Sequence, residues 1–193
     1  MESLEEYLAR LASPSPTPGG GSAATIVAAM AAALVAMAAR ITAANPRYAA
    51  RHALGVSIAT LADTLRTQIV QAQTQDEEAF AAVMTTHGEA RQEALLRAAK
   101  APLHVMRLAL DVEHLAAEAL DLENPHLMSD LGCAAEFAAA ALAASAYNVR
   151  INHRSMRDAQ AIAVQVTEME RYERESAALL ARIRATVSAK DHL

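Results

Sequence analysis

A single cysteine (Cys133), no tryptophan and only 3% aromatic residues set the first limits on this 193-residue chain. One thiol excludes an internal disulfide framework and a Cys-based zinc site, and it fits a reducing cytoplasm. Glycine and proline number six each, and three of the glycines are adjacent. No run alternating Val, Ile, Thr and aromatics between turn residues occurs, so strand signals are nearly absent. Positive charge is in deficit, with 17 Lys and Arg against 22 Asp and Glu, a net charge of −5 and a pI near 5.8. That balance gives no general electrostatic pull on nucleic acid or anionic lipid, so neither is an expected partner. Met1 leads into Glu2, Glu5 and Glu6 rather than a basic and then apolar segment, so no signal peptide is expected and the location is read as cytoplasmic.

What the chain has is alanine, about a quarter of its residues within a 53% hydrophobic composition. Alanine is the best helix former and lets helix backbones approach closely. The reading is an all-α, multi-helix bundle in one domain spanning 1–193. A short helix is expected over Ser3 to Leu11, before the breaker run Ser13–Gly21. Long helices follow from near Ser22 to Asn45-Pro46, from after Pro46 to His87-Gly88, and from Glu89 to Leu120. A loop at Glu123-Asn124-Pro125 precedes helices over Ser129–His153 and Ser155–Lys190. The uncharged stretch Ser22–Ala39 has the length of a membrane span but lacks its Leu, Ile and Phe density. It reads instead as a central core helix or an oligomer interface, and self-association is expected.

Four places interrupt the apolar pattern. Pro18-Gly19-Gly20-Gly21-Ser22 stands directly before a helix, where exposed N–H groups and the positive dipole end favour an anion or a polarised carbonyl. The same residues serve equally as a flexible turn ending in an N-cap serine. Asp76 shares a helical stripe with Leu61, Leu65, Ile69, Ala72, Phe80 and Val83, a costly position for a carboxylate unless it is paired or used. Burial raises a carboxyl pKa towards the range useful for proton transfer, and pairing to an arginine is the structural alternative. Ser129 and Asp130 stand where a helix N-cap is expected. Asn148 and Asn152, spaced i, i+4 in line with Ser145 and Ala141, need hydrogen-bond partners from a neighbouring helix or a heterocycle.

Metal signals are poor. The seven histidines are scattered without H-E-x-x-H, and Glu123-x-x-His126 contains Pro125 and has no second copy. Cys133 has no histidine nearby in sequence and reads as a small buried hydrophobe. Arg150, His153, Arg154 and Arg157 form a basic cluster, either a surface feature or an anion site.

Taken in order, these residues resemble the formiminotransferase-cyclodeaminase C-terminal domain and methenyltetrahydrofolate cyclohydrolase family. The similar segments are Pro16–Ala24, Asp76-Glu77-Glu78-Ala79-Phe80, Ala101-Pro102, Asn124, Ser129–Ala135 and Asn148-Val149-Arg150-Ile151-Asn152. Together they span nearly the whole chain. The resemblance implies a helical homodimer with a folate cleft between the glycine loop and the inner helices. It implies closure of 5-formiminotetrahydrofolate to 5,10-methenyltetrahydrofolate with loss of ammonia, or interconversion of the methenyl and 10-formyl forms by water. Neither needs a metal, or a cofactor beyond tetrahydrofolate as substrate.

On that resemblance Asp76 is the expected acid/base group and Asp130 the second catalytic carboxylate. Asn148 and Asn152 would hydrogen-bond the pterin, Pro18 to Ser22 would hold the folate, and Asn124 and Ser129 complete the set. Arg47 would meet the glutamate tail, although Asn45-Pro46-Arg47-Tyr48 departs from the family's usual glycine and basic pair. Glu123 replaces a frequent glycine, and His153 stands where an aliphatic residue is usual. A separate formiminotransferase would supply any coupled activity. The competing class is a non-catalytic helical oligomer that binds a folate or a partner without turnover. A raised-pKa Asp76 in an open cleft favours the enzyme, and an arginine-paired Asp76 without a cleft favours the binding module.

Overall fold

The computed structural model describes residues 3–190, which form α1 (Leu4–Leu11), α2 (Gly20–Ala44), α3 (His52–Thr85), α4 (Gly88–Ala119), α5 (Met128–His153) and α6 (Ala159–Lys190). Among the described residues there is no strand, and the fold is all-α as the composition required. Short 3-10 turns at Pro46–Arg51, Leu120–Leu122 and Pro125–Leu127 complete the connections.

Local chemistry sets the boundaries. Ser3 and Glu6 form a reciprocal capping box: the Glu6 N–H donates to Ser3 Oγ at 3.2 Å and the Ser3 N–H to Glu6 Oε2 at 2.6 Å. Helix α2 begins earlier than Ser22, with Gly19 at the N-cap position. It ends at Asn45, whose Oδ1 accepts from the Arg47 N–H at 3.0 Å ahead of Pro46. Ser129 and Asp130 do not cap α5, because Leu127 occupies that position and both lie within the first turn. The last helix starts at Ala159 rather than Ser155. Asp158 accepts from the Ala161 N–H at 2.9 Å and so holds the first turn there.

Helix α2 packs on α3 and α5, α4 packs on the same two, and α6 lies across α4 and α5. The α2–α5 core is lined by small side chains, among them Ala28, Ala31, Ala32, Ala39, Ala134 and Ala138, all fully buried. The α2 and α3 backbones come close at Gly55 of α3, where an added Cβ would stand 2.9 Å from both the Ala39 carbonyl oxygen and Ala43 Cβ. Helix α2 and the segment Pro125–His153 are long and apolar enough to cross a membrane, but 56% and 44% of their apolar windows are buried within this bundle.

The inward stripe of α3 is Ile58, Ala62, Ile69, Ala72 and Val83, with Asp76 on the same line. Leu61 and Phe80 fall one position off it and are exposed, contrary to the expected stripe. Cys133 is also exposed rather than buried, on the outer side of α5. Met30, Met37 and Ile41 of α2, with Val56 and Val70 of α3, leave an uncovered apolar surface.

Candidate functional site

The glycine segment, one end of α3, the start of α4 and the end of α5 enclose a cavity of about 340 Å³. Pro18 to Ser22 form one wall, and Asp76, Glu77, Phe80 and Val83 contribute from α3. Arg91, Leu95 and Ala98 come from α4, and Asn148, Ile151 and Asn152 from α5. The sequence reading missed Arg91, Leu95 and Ile151. None interrupts a local pattern, and only the antiparallel return of α4 beside α3 brings Arg91 to the cavity.

Gly21 permits the tightest contact in the site. A Cβ there would lie 2.7 Å from Asp76 Oδ2 and 3.8 Å from Asn148 Cγ, so the missing side chain is what admits the carboxylate to the first turn of α2. No side chain caps α2, which leaves first-turn N–H groups of Gly20 and Gly21 to whatever occupies the cavity. Ser22 has a structural duty as well. Its buried hydroxyl bonds Tyr7 OH at 3.0 Å and accepts from Gln73 Nε2 at 2.9 Å, tying α1 and α3 to the start of α2.

Asp76 is half-buried, and no arginine pairs with it among the described residues. Burial, and secondarily the charge of Glu77, raise its pKa above the ordinary carboxylate value. The arginine-paired alternative is therefore not what the structure shows. Asn148 Nδ2 donates to the Ala144 carbonyl at 3.1 Å. Asn152 Nδ2 donates to the carbonyls of Ala98 at 2.9 Å and Asn148 at 3.0 Å. With the amide nitrogens committed to backbone, the side-chain oxygens remain as acceptors. They suit a ligand edge that carries N–H donors. Among the described residues no group of three or more His, Cys, Asp or Glu is placed to hold a metal ion.

This geometry has close relatives. The sequence model of the formiminotransferase-cyclodeaminase family matches residues 3–171. The chain belongs to the formiminotransferase-cyclodeaminase family. It is 34% identical over 202 residues to the methenyltetrahydrofolate cyclohydrolase of Methylorubrum extorquens, covering 98% of this chain and 97% of that one. The crystal structure of formiminotetrahydrofolate cyclodeaminase from Thermotoga maritima superposes with a TM-score of 0.92 at 28% identity, covering 97% of this chain and 96% of that one.

The family resemblance grouped twelve residues into one site, and the structure divides them. Pro18 to Ser22, Asp76, Asn148 and Asn152 meet at the cavity. Arg47, Asn124, Ser129 and Asp130 stand at the opposite end of the bundle and do not line it. Ser22 and Thr42 lie twenty residues apart on α2, about 30 Å at 1.5 Å per residue. Asn124 is pinned at the far end, its Nδ2 donating to Thr42 Oγ1 at 3.1 Å and its Oδ1 accepting from the His126 N–H at 3.2 Å. Arg47 lies beyond the same end of α2, with its guanidinium 5.9 Å from the Tyr48 ring centre. Of the basic cluster, Arg150 is occupied by Glu173 at 2.8 Å.

Proposed function

We propose that this chain is a tetrahydrofolate one-carbon enzyme that interconverts 5,10-methenyl- and 10-formyltetrahydrofolate, working in the cytoplasm as a homodimer with no cofactor beyond its folate substrate. The observation that carries the reading is Asp76, a carboxyl of raised pKa with no cationic partner among the described residues, beside the start of α2. The 34% identity to a cyclohydrolase over nearly the full length of both chains supports the choice of reaction.

In the hydrolytic direction a water attacks the carbon between N5 and N10. Asp76 takes a proton from that water, leaving a neutral tetrahedral carbinolamine. The bond from this carbon to N5 then breaks as N5 receives a proton and the carbinol hydroxyl gives up its own to form the C=O, and the carbon remains on N10 as a formyl group. One proton is released overall, as charge balance from a methenyl cation requires. A positioned group of this kind contributes about 10²–10⁴-fold. The ionised carboxylate also stabilises the delocalised methenyl cation. The Asn148 and Asn152 oxygens accept from the N–H groups of the pterin, and the α2 amides meet its carbonyl or the developing oxyanion.

The second reading is the cyclodeaminase, favoured by the TM-score of 0.92 with such an enzyme. There N10 attacks the formimino carbon on N5, and the tetrahedral intermediate expels ammonia as Asp76 moves the proton. Absorbance of the methenyl chromophore separates the two. Accelerated decay from 5,10-methenyltetrahydrofolate supports the hydrolase, and growth from the 5-formimino compound supports the deaminase. No change with either would leave the non-catalytic binding module.

A further inference from the structure

We infer that Arg91 holds the glutamyl carboxylates of the folate substrate and sets the preference for tail-bearing substrates. The assignment rests on the folate reading of the same cavity. Among the described residues lining that cavity, Arg91 is the one cation, and it is half-buried. No carboxylate of the described residues pairs with it, whereas Arg150 and Arg184 are engaged by Glu173 and Glu136. Its guanidinium fork matches a carboxylate bidentately.

The spacing along α4 fits the shape of the substrate. Asn152 meets the helix at the Ala98 carbonyl, 2.9 Å away, which fixes the level of the pterin-binding amides. Arg91 lies seven residues before Ala98, two turns and about 10 Å along the same face. Val83 and Leu95 line the wall between them, and Phe80 and Ile151 flank it with 41% and 52% exposure. A rigid aminobenzoyl spacer separates the reacting ring system of a folate from its carboxylates. The anchoring cation must therefore stand apart from Asp76 across an apolar wall, and Arg91 does. Arg47, at the other end of α2, does not reach this cavity within one chain.

The test compares 5,10-methenyltetrahydrofolate with its tetrahydropteroate counterpart, which lacks the glutamate, on wild-type, Arg91→Gln and Arg91→Lys enzymes. Arg91→Gln is expected to raise KM for the tail-bearing substrate about 10- to 100-fold, with kcat little changed and KM for the pteroate unmoved. Arg91→Lys should recover part of the loss. An Arg91→Gln enzyme that keeps the wild-type preference overturns the assignment. So does one whose two KM values rise together, since that is the mark of a structural role. A wild-type enzyme that turns over the folate without preferring it to the pteroate also overturns the assignment and leaves the folate reading standing. Turnover of neither compound, nor of 5-formiminotetrahydrofolate, by the folded wild-type chain overturns the folate-enzyme reading and Arg91 with it.

Discussion

At the scale of single residues, Asp76 and Glu123 show how a local departure from pattern becomes either chemistry or strain. Asp76 occupies an inward position of α3 where Ile69 and Ala72 are buried, and it has no cationic partner among the described residues. Asp76→Asn keeps the shape and removes the proton acceptor. Turnover of the methenyl substrate is expected to fall about 10²–10⁴-fold while the far-UV circular dichroism is unchanged. The acid limb of the pH–rate profile, displaced upward from the ordinary carboxylate range by burial, should vanish in the variant. Glu123 has a different problem. Its φ of +54° is left-handed, a region that costs a side-chain-bearing residue about 1–2 kcal/mol, which fits the glycine that the family resemblance led one to expect there. Its exposed pair with Arg51 at 2.6 Å is screened by solvent and offsets little of that strain. Glu123→Gly is therefore expected to stabilise the fold by about 0.5–1 kcal/mol, read as a rise of a few degrees in Tm.

At the scale of elements, α4 and α6 are joined around a second interrupting carboxyl. Glu113 is fully buried, accepts from Ser176 Oγ at 2.7 Å through Oε1, and leaves Oε2 without a partner. Burial, aided by the charges of Glu136 and Glu175, raises its pKa from 4.5 to about 7. A raised acid binds its proton more tightly in the folded state, so its contribution is complete below about pH 4.5 and lost as pH rises towards 7. The shift corresponds to about 3 kcal/mol. Glu113→Gln mimics the protonated form. In denaturant titrations at pH 5 and pH 8, the wild-type chain is expected to lose stability between the two, and the variant to lose much less. Equal losses would show that Glu113 does not govern the contact. The element order itself was legible in the sequence because breakers separate α1 to α5, at Pro14–Gly21, Pro46, Gly88 and Pro125, whereas the α5–α6 junction has none and its start was set too early. The caps were less so: Gly19 and Leu127 are at N-cap positions where Ser22 and Ser129 looked suitable, since no side chain caps either helix. Arg91 was illegible because only tertiary packing gives it meaning, and Glu113 was overlooked although it gives the same signal as Asp76, a carboxyl on an apolar stripe.

At the scale of the whole molecule, five partly exposed apolar side chains on α2 and α3 set the expected association state. Met30, Met37, Ile41, Val56 and Val70 are each between 36% and 53% exposed, with no charged residue on α2 before Arg40. Covering the exposed part of each is worth roughly 1 kcal/mol, from about 1.5–3 kcal/mol for a whole side chain. A two-fold interface uses the same surface twice, so ten side chains would contribute about 10 kcal/mol. Association costs about 4–15 kcal/mol, which places the dimer within reach but makes it dependent on concentration. Sedimentation over a range of concentrations is expected to give twice the 20.4 kDa chain mass. Met37→Glu, which places a charge at the centre of the strip, is expected to give the chain mass with helicity retained. A wild-type chain that sediments as a monomer at every concentration would leave α2 uncovered and remove the dimer from the proposed function, while the single-chain cavity and the tests of Asp76 and Arg91 would stand unchanged.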